Sequence, residues 1–176
     1  MKKHHANKRE LLTVSNLVVE FAIGRRSKIH AVSDVSFKVE NGETLGLVGE
    51  SGCGKSTVAR AIVRLQKPTS GRIRLNGHEI SGCSHKQLQA LRPRLQMIFQ
   101  DATASLNPGR RVGRTIAEPL RAIGKSTRRD RVRKVHAIMK EVGLDPDQIY
   151  NRRPFELSIG QCQRVSIARA LITLSL

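Results

Sequence analysis

Nine residues, Gly49-Glu50-Ser51-Gly52-Cys53-Gly54-Lys55-Ser56-Thr57, restrict what this chain can fold into more than any other stretch. The apolar run before them, Thr44-Leu45-Gly46-Leu47-Val48, reads with Glu43 as a buried strand over 43–48. After them, Val58, Ala61, Ile62 and Leu65 fall on one face of a helix. Strand, glycine loop and helix in that order form a phosphate-binding loop. The glycines admit backbone conformations closed to other residues, so successive N–H groups can converge on anionic oxygens. The new helix adds the positive end of its dipole. Lys55 is placed to reach the β- and γ-phosphates of a nucleotide, and Ser56 to ligate Mg²⁺. A plain glycine turn followed by a solvated lysine is the alternative, and the strand and helix flanks argue against it. The expectation is a nucleoside triphosphate site.

A chain of 176 residues is long enough for one domain with a real core. Its 32 basic and 14 acidic side chains leave a net charge of +18. That excess favours acidic partners: nucleotides, nucleic acid or an anionic membrane surface. Cys53, Cys83 and Cys162 are scattered, odd in number and without metal-ligand spacing, which points to a reduced cytosolic setting and away from zinc or disulfides. Cys53, at a helix start beside Lys55, reads as a somewhat acidic thiol open to alkylation. Residues 1–10 form a basic tail, with His4 and His5 solvated, and no apolar core of a secretion signal follows. No run is long enough to cross a bilayer as a helix.

Alternation marks strands over 11–39, through Leu17, Val19 and Phe21 and then Val35, Phe37 and Val39. Asn41-Gly42 and Asn76-Gly77 are tight-turn pairs, the second closing an alternating strand over 71–75. Ser84-His85-Lys86-Gln87 resembles a capping box opening a short helix that Pro93 limits. Residues 95–99 read as a further strand. Beyond Gln100 the pattern turns helical, over 112–123 and over 127–142, the latter capped by Thr127 with Asp130 three residues on. Val132, Val135, Met139 and Val142 make its apolar stripe, against Arg128, Arg129, Arg131, Arg133 and Lys134. From Arg121 to Lys140 there are eight basic side chains and one acid, a solvated face or a surface for an acidic partner. A last helix starts at Ser158, a good N-cap, and runs to about Ile172. The layout is α/β, with strands and helices segregated into two lobes.

Three segments together resemble the ATP-binding subunits of ABC transporters, most closely the oligopeptide/dipeptide (and nickel) importer branch. Val48-Gly49-Glu50-Ser51-Gly52-Cys53-Gly54-Lys55-Ser56-Thr57 is similar to that branch's Walker A segment. Met97-Ile98-Phe99-Gln100-Asp101-Ala102-Thr103-Ala104-Ser105-Leu106-Asn107-Pro108 resembles its Q-loop region. Arg153-Pro154-Phe155-Glu156-Leu157-Ser158-Ile159-Gly160-Gln161-Cys162-Gln163-Arg164-Val165-Ser166-Ile167-Ala168-Arg169-Ala170-Leu171 resembles its signature helix. The similarity runs from about Leu12 to Ala170.

The resemblance implies a P-loop NTPase of ABC-ATPase type, in which 11–176 is a partial nucleotide-binding domain. Within it 11–99 would be a strand-rich core, 100–157 the Q-loop and helical subdomain, and 158–176 the signature helix. The implied function is that of an ATP-binding subunit energising a peptide importer. Gly49, Ser51, Gly52, Cys53, Gly54, Lys55, Ser56 and Thr57 would hold ATP, and Ser56 with Gln100 the Mg²⁺. Gln100 would also be the catalytic candidate, sensing the γ-phosphate, helping toward an oriented water and signalling to the membrane partner, and Phe21 would stack on adenine. Ser158, Gly160 and Gln161 would touch ATP held by a second ATP-binding subunit in a head-to-tail dimer. The other partners implied are permease subunits and, indirectly, a solute-binding protein, with the chain peripheral on the cytoplasmic side of the plasma membrane.

Two departures from the family stand out. Ile159-Gly160 occupies the place of a Gly-Gly pair, and a β-branched residue there is expected to crowd the dimer or strain the turn. The sequence given also stops after the signature helix, before the family's Walker B strand, its acids and the switch histidine. The expectation is nucleotide binding with very low hydrolysis, phosphoryl transfer needing a metal held on both sides and an oriented water. In the resembled fold strand 43–48 lies in a mostly parallel sheet with neighbours encoded later, so an open apolar edge and poor stability are expected. Two alternatives remain: an inactive fragment, and a non-membrane ABC ATPase acting on nucleic acid. The charge of +18 suits the latter, but Tyr150 is the one tyrosine and tryptophan is absent, which leaves no stacking platform.

Overall fold

A long antiparallel hairpin, β1 (Glu10–Ile23) with β2 (Ser27–Glu40), organises the first of two compact units, residues 1–90. The computed structural model describes residues 10–24, 27–124 and 126–174; the rest of the basic tail, with His4 and His5, and Lys125 of the basic run lie outside them. On the other side of β1 lies β3 (Ser70–Leu75), followed by β4 (His78–Glu79), giving an order β2-β1-β3-β4 with antiparallel pairings throughout. Asn76 and Gly77 both have positive φ, 49° and 77°, the geometry of the two-residue turn that their types favour.

The buried face of β1 changes parity in mid-strand, from Val14 to Leu17 and Val19. The register shifts at that point, and Asn16 adopts φ 49°. This is a bulge, an extra residue that re-aims the side chains after it. Asn16 is held by its N–H to Ser36 Oγ at 2.7 Å and its Nδ2 to Asp34 Oδ1 at 2.7 Å. Facing it, Gly71 comes so close that a Cβ would sit 2.3 Å from the Asn16 carbonyl oxygen.

Helix α1 (Lys55–Ile62) turns Val58 and Ala61 inward, and Val32, Val63, Ile73, Ile80 and Leu88 belong to the same unit's buried set. Helix α2 (His85–Leu91) starts with the expected capping box, Ser84 N–H donating to Gln87 Oε1 at 2.8 Å and Gln87 N–H to Ser84 Oγ at 3.4 Å. At Pro93 it gives way to a 3₁₀ turn over Arg92–Arg94.

The second unit, residues 91–176, is helical: α3 (Ala102–Ser105), α4 (Val112–Ile116), α5 (Glu118–Ile123), α6 (Arg128–Glu141), α7 (Pro146–Ile149) and α8 (Ile159–Leu171). The expected helix over 112–123 is two helices, because Pro119 has no N–H to bond one turn back and the chain re-enters helix at Ala117. Helix α6 has the expected cap, Asp130 N–H donating to Thr127 Oγ1 at 3.2 Å. Its stripe is buried at Val135, Ile138 and Met139, with Val132 and Val142 half-buried. Val135, Ile138 and Met139, with Val142 packed against them, close with Val112, Ile116, Leu120, Val165 and Ile172 into one apolar core.

Two expected strands do not form. Residues 43–48 and 95–99 have no regular secondary structure and pair with no strand among the described residues. Leu45 and Leu47 are 43% and 44% exposed and Val48 is 94% exposed, so the burial expected of 43–48 is overturned. A strand exists only with neighbours to accept its N–H and C=O groups. The sheet's ladders run from β2 to β4 without either segment, and apolar composition alone supplies no partner.

The helical core should respond to cavity formation. Met139→Ala is expected to lower the unfolding free energy of the helical unit by ~2–5 kcal/mol in urea titrations. Ile116→Val, removing one methylene from the same core, is expected to lower it by ~0.5–1.5 kcal/mol.

Candidate nucleotide-binding site

The loop over 49–57 ends on Gly54, the N-cap of α1, with φ 94°. A Cβ at Gly54 would lie 2.3 Å from the Ala31 carbonyl oxygen, so the loop can sit this close to β2 only with glycine there. Val58 N–H closes the first helical bond to the Gly54 carbonyl at 2.9 Å. The amides before it in α1 have no intrahelical acceptor and remain donors for an anion at the positive end of the helix. No acidic residue occupies that first turn to compete with a phosphate.

Lys55 folds back across the loop. Its Nζ donates to the carbonyls of Gly49 at 2.8 Å and Glu50 at 2.6 Å, with Cys53 Sγ at 3.5 Å. The ammonium thus spans the loop from the helix side. Carbonyl acceptors are weaker than phosphate oxygens, so an arriving polyphosphate can take over these donors. Ser56 is exposed and its hydroxyl makes no hydrogen bond among the described residues, leaving an oxygen free for a hard cation such as Mg²⁺. Cys53, expected to be reachable, is exposed, whereas Cys162 is buried.

Elsewhere in the same unit Phe21 is 39% exposed on β1, directly opposite Ile29 on β2 and two residues before Ile23. The three make an open apolar step at the end of the hairpin. Neighbouring Glu20, on the other face, accepts from Lys28 Nζ at 2.8 Å and lies 3.2 Å from His30 Nδ1. The hydrogen bond from Lys28 holds its carboxyl below the usual range.

In the second unit Gln100 is exposed just before Asp101, whose Oδ1 caps α3 by accepting Ala104 N–H at 2.9 Å. Ser158, Gly160 and Gln161 stand together at the start of α8. Gln161 N–H donates to Ser158 Oγ at 3.2 Å and Ser158 N–H to Gln161 Oε1 at 2.9 Å, a reciprocal capping box. Nothing lies within 4 Å of a Cβ on Gly160. The strain expected at Ile159 is absent: it is the first residue of α8, without positive φ, and its side chain is 73% exposed. Phe155, which sequence reasoning left unassigned, is 69% exposed in the preceding turn; an aromatic just ahead of an N-cap is the only signal that could have marked it.

Residues 32–175 match the family model described as ABC transporter. Over 175 residues the chain is 49% identical to the oligopeptide transport ATP-binding protein OppF of Haemophilus influenzae, covering 94% of this chain and 52% of that protein. It is 42% identical over 167 residues to the di/tripeptide transport ATP-binding protein DppF of Pseudomonas aeruginosa, covering 92% and 51%. The chain therefore spans about half the length of these relatives. Its fold superposes with a TM-score of 0.82 on a dimeric, post-hydrolysis ATP-binding cassette, MJ0796, bound to ADP and Pi; identity is 28%, over 93% of this chain and 70% of that one. Both relatives are named for transport, which gives the nucleic-acid alternative no support.

Gly54→Ala should disturb this loop through both φ and contact, costing of order 1–3 kcal/mol from backbone strain alone. The expected outcome is a lower urea midpoint together with loss of triphosphate binding, whereas Gly46→Ala, with nothing within 4 Å of its Cβ position, is expected to leave both near wild type.

Proposed function

This chain belongs to the ABC transporter family, and on that premise we propose that it binds Mg-ATP and serves as nucleotide-binding machinery for a peptide importer. The observation that carries this reading is the Lys55 ammonium lying across the Gly49 and Glu50 carbonyls at the glycine-built start of α1. On binding, the phosphates take the Lys55 donors and the free amides of the first helical turn. Ser56 and Gln100 are the residues that would hold Mg²⁺, which when bound neutralises phosphate charge. Phe21 offers the adenine a face to stack on. Gln100 reports the γ-phosphate to a permease, and Ser158, Gly160 and Gln161 present the start of α8 to ATP on a second ATP-binding subunit, arranged head to tail. The working place is the cytoplasmic side of a membrane, with a solute-binding protein acting through the permease. Hydrolysis by these residues alone is expected to be very low, since they grip phosphate and hold the metal, with Gln100 the one candidate among them for orienting a water.

Calorimetry with Mg-ATP tests the reading directly. Each charge-assisted hydrogen bond is worth ~1.5–3 kcal/mol, so Lys55→Ala is expected to weaken binding by about 10- to 100-fold. Mg-ATP should also slow maleimide alkylation of Cys53, and that protection should vanish in Lys55→Ala. Folded material showing neither a lysine-dependent heat nor protection of Cys53 would overturn the assignment.

A further inference from the structure

The helical unit holds a second concave, positively charged site, with no carboxylate on its lining. A cavity of about 470 Å³ is lined by Arg111, Arg114, Arg121, Arg128 and Arg131, with Tyr150 and Asn151 on its wall. Two helical spacings bring these arginines together: 111, 114 and 121 across α4 and α5, and 128 with 131 on α6. Gly113 and Ala117 line the cavity without bulk, and a Cβ at Gly113 would strike the Tyr150 ring at 2.3 Å. The wall is fixed in turn, since Gly113 N–H donates to the Tyr150 carbonyl at 2.9 Å and Val112 N–H to the Arg152 carbonyl at 2.8 Å. His136 meets the Tyr150 ring edge-on at 5.1 Å.

Two of the five guanidinium groups are engaged in positioning bonds: Arg111 donates to Asn151 Oδ1 at 3.1 Å and Arg131 to the Ser126 carbonyl. Arg114, Arg121 and Arg128 have no side-chain partner among the described residues. The nearby acids are taken elsewhere, Glu118 by Arg110 and Asp130 by Thr127 and Arg133. Like charges gathered around one cavity repel one another, and a multivalent anion would relieve them together. Planar guanidinium forks suit phosphate oxygens, which accept two parallel N–H bonds. We propose that this cavity is a binding site for an oligophosphate group, separate from the phosphate-binding loop and independent of its assignment. The shared chemistry is two or three closely spaced phosphates, carried by a soluble compound or by the headgroup of an anionic lipid.

Inorganic triphosphate is the probe, used on the full chain carrying Lys55→Ala so that the loop adds no signal. Arginine-selective dicarbonyl labelling, mapped by mass spectrometry, should show Arg114, Arg121 and Arg128 protected by triphosphate while Arg129 and Arg133 go on reacting. Arg114→Gln with Arg128→Gln should weaken triphosphate binding at least tenfold. Arg129→Gln with Arg133→Gln removes the same charge outside the cavity and should change it less than twofold. Cardiolipin vesicles, set against phosphatidylcholine vesicles, separate the sources: protection of the same three arginines by cardiolipin, competed by triphosphate, assigns a lipid headgroup, and protection by triphosphate alone assigns a soluble ligand. Protection of no arginine by either probe, uniform protection of all of them, or equal weakening in both double variants overturns the proposal. The labelling needs no arginine variant to fold.

Discussion

Everything the phosphate-binding loop can do rests on how closely its end approaches the hairpin. Gly54 has no side chain, and its backbone can therefore turn into α1 while lying against the carbonyl of Ala31. That contact fixes where the helix begins, and hence where its free amides and Lys55 point. It also ties a local motif to the unit's four-stranded sheet, because Ala31 sits on β2, which is paired along most of its length to β1. The loop is thus presented by the hairpin: chemistry at the helix start, position from the strand behind it.

The same logic of close approach recurs at two other glycines and gives each unit its shape. Gly71 lets β3 run alongside the bulge at Asn16, and Gly113 lets α4 meet the ring of Tyr150. In each case a tight backbone contact sets the direction of a whole element, and the buried aliphatic side chains fill in around it. Charge is distributed on a different principle. Asp130 and Glu156 are used at helix starts, whereas arginines of α4, α5 and α6 face a cavity without carboxylates.

What could be read in the sequence was what is encoded locally. The turn at Asn76-Gly77, the capping box at Ser84 and the caps at Thr127 and Ser158 all depend on residues within four positions of one another, and each stands where its spelling put it. The start of α1 was legible for the same reason. Residues 43–48 and 95–99 were misread because an apolar, β-branched composition states only a willingness to pair, while the pairing itself is made by other parts of a sheet. The break at Pro119 was visible in the letters, but the apolar period over 112–123 outweighed it. Short α3 and α7 carried too few residues to show a period. The arginine cavity was illegible as a site, since its residues come from three helices and only the run after Arg121 registered as charge. Membership of Gly113 and Tyr150 in its wall is a matter of packing, which no spacing rule announces.

The exposed apolar run that ends at Val48 leads without interruption into Gly49, whose carbonyl Lys55 holds. Anything that pairs with that run in the geometry a bound triphosphate selects will favour nucleotide binding. Linkage makes the effect mutual: the nucleotide must tighten that neighbour's grip by the same factor by which the neighbour tightens the nucleotide's. A run without a strand partner among the described residues, next to a phosphate cradle, is in this sense a thermodynamic lever, and affinity for the nucleotide becomes a gauge of what is paired with that run.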